Sequence, residues 1–142
     1  MHRSYNKIHV IADSSPNAQA SKRSIIKKYK NYSINDSDVF IVLGGDGFML
    51  ASLKKYQKYK IPFYGMNKGN RGFLLNKFDD KDLINKINKA NVAELHPLEM
   101  YAKNKNGKIK TAIAVNEVSV FRETRQAAKL EIKVDNKIRM KE

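Results

Sequence analysis

Gly44-Gly45-Asp46-Gly47 is the segment of this sequence best suited to chemistry. Its glycines let backbone amides approach a ligand closely, and it lies between a continuously apolar run, Val39 to Leu43, and a helical pattern. A helix N-terminus placed there adds unbonded N–H groups and partial positive charge, so the turn reads as a phosphate cradle. Asp46 does not fit a plain anion site, because its carboxylate repels phosphate. It suits the acceptance of a proton from an attacking hydroxyl, or a metal ion bridged to phosphate. The competing structural reading is a left-handed turn with Asp46 capping the helix.

A second glycine cluster runs Gly65-Met66-Asn67-Lys68-Gly69-Asn70-Arg71-Gly72-Phe73-Leu74. If the strands before the two clusters are parallel neighbours, both loops emerge at the carboxyl edge of one sheet, where ligands of open α/β sheets bind. Lys68 and Arg71 would then bring positive charge to bound phosphates, although a solvated loop is the commoner fate of such residues. Neither cluster matches the Walker or Rossmann glycine spacing. The third candidate is Asn116-Glu117, a polar pair inside an apolar β stretch, able to read the donor and acceptor edges of a base or sugar. Taken alone, it reads more readily as an edge or turn pair. His2, His9 and His96 show no ligand spacing, so no metal site built by protein side chains is expected.

These residues need a scaffold, and the chain alternates as an α/β domain does. Ile8 to Ala12 predicts a strand, and Ser15-Pro16 supplies an N-cap and a first-turn proline for a basic helix through Tyr32. Val39 to Leu43 predicts a strand buried on both faces, and Met49, Leu50, Leu53 and Tyr56 mark the buried side of a helix running to Lys60. Pro62 to Met66 predicts the next strand, completing a right-handed βαβ unit. A last helix is expected from an Asp79 or Asp80 cap to Ala90, burying Leu83, Ile84 and Ile87.

From about Asn91 the pattern becomes β, with strand-like runs near 93–103, 109–115, 117–121 and 128–139. Asn104-Lys105-Asn106-Gly107 and Asp135-Asn136-Lys137 are hairpin turn signals. The expected organisation is a Rossmann-like α/β domain with a mostly parallel sheet over residues 1–92. Residues 93–142 read as the first strands of an incomplete, sandwich-like all-β domain.

The 142 residues include no cysteine, which excludes disulfides, thiolate nucleophiles and cysteine-ligated zinc or iron–sulfur sites. With 42% hydrophobic and 30% charged residues the chain can fill a core. No apolar run approaches the roughly 20 residues of a membrane span, so a cytoplasmic protein without membrane attachment is expected. The net charge of +14 suits an anionic partner, but its lysines are scattered, as a compositional bias would leave them.

In order, the three polar segments resemble those of the NAD kinase family. Gly44-Gly45-Asp46-Gly47 is similar to its GGDG motif, Gly65 to Leu74 to its G-x-N-x-G-x-x-G-F-L element, and Asn116-Glu117 to its Asn-Glu motif. The resemblance runs from about Lys7 to Arg139 and is carried by the ordered set, since diacylglycerol kinases, sphingosine kinases and phosphofructokinases share related GGDG sequences. It implies phosphoryl transfer from ATP, or polyphosphate, to the 2′-hydroxyl of the adenosine ribose of NAD, with Mg²⁺ or another divalent cation.

The resemblance implies that Asp46 is the general base, and that Gly45 and Gly47 let the backbone approach the phosphates. Asn67, Gly69 and Gly72 would shape the second binding loop, and Asn116 and Glu117 would hydrogen-bond NAD. Phe48 departs from the Thr or Asn common after GGDG in that family. The family's Asp-Gly…Thr-Pro-Thr-Gly-Ser-Thr-Ala-Tyr segment is not present before Glu142, which leads us to expect a truncated second domain. A homo-oligomer is expected where that domain is completed. The alternatives are a lipid or sugar kinase of the wider GGDG group and a non-catalytic basic protein that binds nucleic acid. No recognition motif favours nucleic acid, and no amphipathic docking stretch favours lipid.

Overall fold

The computed structural model describes residues 4–69 and 72–141. A four-stranded parallel sheet is assembled in the order β1 (Ile8–Ala12), β2 (Val39–Gly44), β3 (Phe63–Asn67) and β4 (Asn76–Lys77). Helix α1 (Pro16–Lys28) connects β1 to β2, and α2 (Asp46–Tyr56) with a 3₁₀ turn at Gln57–Tyr59 connects β2 to β3. Helix α3 (Leu83–Lys89) follows β4. This is the expected α/β architecture with a parallel sheet, with the short β4 as an element that two exposed residues could not announce.

All six residues of β2 are buried, as a continuously apolar run between two helical layers must be. Its odd-numbered residues, Val39, Ile41 and Leu43, join Ile8 and Val10 of β1, Ala18 and Ile25 of α1, and Leu83 and Ile87 of α3 in one cluster. Its even-numbered residues face α2. There the Phe40 ring lies 5.6 Å from Tyr56, 6.1 Å from Tyr59, 5.1 Å from Phe63 and 5.9 Å from His9. Since β1, β2 and β3 lie side by side in that order while α1 and α2 cover opposite faces, the two crossovers have opposite hands. The right-handed rule therefore holds for one crossover only.

Caps explain where the helices start. Ser15 Oγ accepts a hydrogen bond from Ala18 N, and Pro16 occupies the first turn of α1, as the sequence predicts. That helix stops at Lys28 rather than Tyr32, because Tyr29 turns to an extended conformation and packs against the core. Neither Asp79 nor Asp80 caps α3, which begins at Leu83. The Tyr29 hydroxyl instead accepts from Leu83 N at 3.0 Å and donates to Asp80 O at 3.2 Å. Asp80 is thereby left to bind α1, pairing with Lys28 at 2.8 Å and accepting from Ser24 Oγ at 2.7 Å.

Beyond α3 the chain forms two antiparallel ladders, β5 (Leu98–Lys103) with β6 (Ile109–Ala114) and β7 (Glu131–Val134) with β8 (Lys137–Lys141). Both turns lie where the sequence places them. Asn104 Oδ1 accepts from Asn106 N and Lys108 N, and Asp135 and Asn136 both have positive φ, the requirement of a tight two-residue hairpin. Residues 117–121 form no strand: Val118 and Val120 alternate appropriately, but among the described residues no neighbouring backbone completes a ladder.

Candidate active site at the carboxyl edge of the sheet

Strands β2 and β3 end together, with Gly44 opposite Asn67 in the last pair of their ladder. Lys68 N continues the pairing by donating to Gly44 O at 2.8 Å. Both glycine loops therefore leave the sheet side by side at its carboxyl edge. They are also in contact. A Cβ placed on Gly69 would lie 3.3 Å from Gly45 Cα, and one on Gly72 would lie 3.2 Å from Asp46 Oδ1 and 3.1 Å from Asn67 Nδ2. Asn67 Oδ1 accepts from Gly69 N at 2.8 Å, turning the second loop toward the first.

Helix α2 starts without a side-chain cap. Gly45 occupies its N-cap position in an extended conformation, and Gly45 O accepts from Met49 N at 3.0 Å. The amides of the first turn thus face outward with no protein side chain capping them, at the positive end of the helix dipole. Asp46 is the first helical residue, so the capping and left-handed-turn readings both give way. Its carboxylate reaches the second loop instead, accepting from Phe73 N at 2.8 Å and Leu74 N at 3.1 Å. Beside it, an added Cβ on Gly45 or Gly47 would meet nothing within 4 Å. Neither position has the positive φ that would require glycine.

The ATP-NAD kinase N-terminal domain matches residues 4–95 of this chain. The chain belongs to the NAD kinase family. Similar proteins include the NAD kinases of Rickettsia peacockii (strain Rustic) and Rickettsia canadensis (strain McKiel), each 44% identical over 137 residues, and that of Rickettsia bellii (strain OSU 85-389), 41% identical over 137 residues. Each match covers 96% of this chain and 54% of the relative, so the chain spans about half the length of the curated relatives it matches. These matches favour neither a lipid or sugar kinase nor a nucleic-acid-binding protein.

Within this NAD kinase family framework the third motif lies near the same helix. Asn116 and Glu117 follow β6 after Val115 and are exposed. With Ile113, Ala114 and Val115 they line a hollow of about 240 Å³, whose other wall is Leu50, Ala51 and Lys54 of α2. Asp46, Leu50 and Lys54 are spaced i, i+4, i+8, so they share one stripe of α2, with Lys54 about 12 Å along the axis from Asp46. The sequence reading assigned Leu50 to the buried side of the helix and did not single out Lys54, although that spacing was a signal available for both. It also missed the amides of Phe73 and Leu74, which side-chain chemistry does not mark.

Lys68 directs its ammonium over the Phe78 ring, 3.5 Å from the centroid. Arg71 lies outside the described residues. Phe48 packs where a Cβ on Gly44 would stand, with Cδ1 2.8 Å from that point, so the aromatic departure from the family motif is matched by a neighbouring glycine. Among the described residues no three His, Asp or Glu side chains gather to hold a metal ion. No helix there is long and apolar enough to cross a membrane.

Proposed function

We propose that this chain carries the GGDG part of an NAD kinase active site, which transfers the γ-phosphoryl group of ATP, or of polyphosphate, to the 2′-hydroxyl of the adenosine ribose of NAD. Asp46 accepts the proton of that hydroxyl. The 2′-oxygen then forms a bond to the terminal phosphorus as the bridging P–O bond breaks, giving NADP and ADP. Such a transfer requires positioning and charge neutralisation, with little covalent work for the protein.

Family membership supports the reaction class, and the observation that carries the site is the pairing of an acid with open space. Asp46 stands at the N-terminus of α2, flanked by two glycines whose missing side chains leave that space clear. Uncapped amides and the helix dipole there suit phosphate oxygens. Asn116 and Glu117 line the hollow along α2, and their amide and carboxylate supply the donor and acceptors that a nucleoside's edges require. Asp46 is the one acid in the two glycine loops, so a divalent cation would arrive on the donor's phosphates, which it neutralises, rather than be held by this chain.

The test is to incubate the purified chain with NAD, ATP and Mg²⁺ and to measure NADP, with Asp46→Asn as the control. NADP formation no greater than that of the control would overturn the reading, and substituting polyphosphate for ATP identifies the donor.

A further inference from the structure

The segment from Gly72 to Leu75 approaches α2 with backbone donors. Phe73 N reaches Asp46 Oδ2 and Leu74 N reaches Asp46 Oδ1, so two successive amides engage both oxygens of one carboxylate. A two-point contact fixes the plane of a carboxylate as well as its distance, which a single hydrogen bond does not. Each oxygen keeps a further lone-pair site, so the held carboxylate still has acceptor capacity.

Packing of the flanking side chains does not explain this placement, because Phe73 is 93% exposed and Leu74 51% exposed. The close approach at Gly72 does contribute. A side chain there would crowd Asp46 Oδ1 and Asn67 Nδ2, and Asn67 itself holds the near end of the loop through Gly69 N. The loop is thus shaped so that its amides, rather than its side chains, meet Asp46. A proton acceptor works only within hydrogen-bond reach of the proton it removes, and a freely rotating aspartate at the first turn of a helix would meet that geometry part of the time.

We propose that the amides of Phe73 and Leu74 form a positioning clamp that fixes the Asp46 carboxylate toward the acceptor hydroxyl. This rests on the reading of Asp46 as the base. The clamp acts through the backbone, so the identity of the two side chains is secondary to the presence of their N–H groups.

Nuclear magnetic resonance on the ¹⁵N-labelled chain reads the contact without any turnover. Asp46→Ala is expected to shift both amide resonances and to speed their hydrogen exchange by about tenfold or more. Unchanged resonances and exchange would overturn the clamp. Its effect on the reaction is read with an amide-to-ester replacement at Phe73, which removes only the N–H, and with Phe73→Pro as a genetic counterpart. The expected result is a kcat lowered by about tenfold or more, with the KM for NAD changed by less than about threefold.

Phe73→Ala keeps the N–H and must retain more kcat than the ester; equal losses would overturn the proposal. An unaltered chain that shows the coupled amides yet forms no NADP counts against phosphoryl transfer and supports the contact, so the two failures are distinguishable.

Discussion

Gly69 approaches Gly45 so closely that a Cβ on Gly69 would stand 3.3 Å from Gly45 Cα. That neighbour is backbone at the N-cap of α2, so it cannot rotate away as a side-chain tip would. The second loop is therefore seated against the helix that carries Asp46, and the separation of the two loops is set by the absence of one methyl group. Gly69→Ala is expected to displace the second loop by a few tenths of an ångström. Since a misplacement of about 1 Å can cost about 100-fold, a shift of that smaller size is expected to lower kcat/KM by about 3- to 10-fold. Because Gly69 is exposed and outside the core, the melting temperature should change little. Parallel NADP assays and thermal melts check this, and a loss of stability as large as the loss of turnover would contradict it.

Asp80 gives the fold a defined response to acid. The Lys28 ammonium first, then the Ser24 hydroxyl, holds its carboxyl below the ordinary carboxylate value of 3.8. A carboxylate with a depressed folded-state pKa contributes stability that is fully present above its unfolded value and is lost as pH falls through the folded one. Asp80→Asn should therefore lower the melting temperature at about pH 7, and the difference should shrink below about pH 4. Melts of both proteins across that range check the sign, and a constant difference would show that the Lys28 pairing does not supply the effect.

How much of this was legible in the sequence follows from how local each signal is. The strand Val39 to Leu43 and the Ser15-Pro16 start of α1 are set by neighbouring residues, and both are observed where expected. The start of α3 was not, because the group that satisfies Leu83 N is Tyr29, 54 residues earlier in the chain. The opposed faces of α1 and α2 follow from packing alternate residues of β2 in opposite directions, which a fully apolar strand does not encode. The glycine motifs located the loops, but the Asp46 partners Phe73 and Leu74 donate through backbone atoms common to every residue type.

Phe40 connects the strand leading to Gly44 with the helix leaving it. Its side chain is fully buried among His9, Tyr56, Tyr59 and Phe63. Phe40→Ala should cost about 3–5 kcal/mol, since it removes that burial and leaves a cavity that four rings cannot fill without shifting. Stability of a domain is of the order of 5–15 kcal/mol in total, so a large share would be lost. Urea titration of the two proteins measures it, and a cost below about 1 kcal/mol would show that α2 does not depend on this contact.

Gly47→Ala separates the requirements of folding from those of ligand binding. Gly47 lies within α2 at a position where an added Cβ meets nothing within 4 Å and no positive φ is required. On folding grounds alanine is the better residue, because it loses less backbone entropy in a helix, a gain of up to about 1 kcal/mol. Glycine at this site therefore has to be explained by something other than packing or backbone conformation. In the proposed function that explanation is the close approach of a phosphate or ribose to the first turn of α2, where a methyl group would occupy the same space. The variant should melt at an equal or higher temperature than the parent while its kcat/KM for NAD falls by about tenfold or more. Retained turnover together with the raised melting temperature would place the ligand away from Gly47, and a lowered melting temperature would show that the space is required by the fold itself.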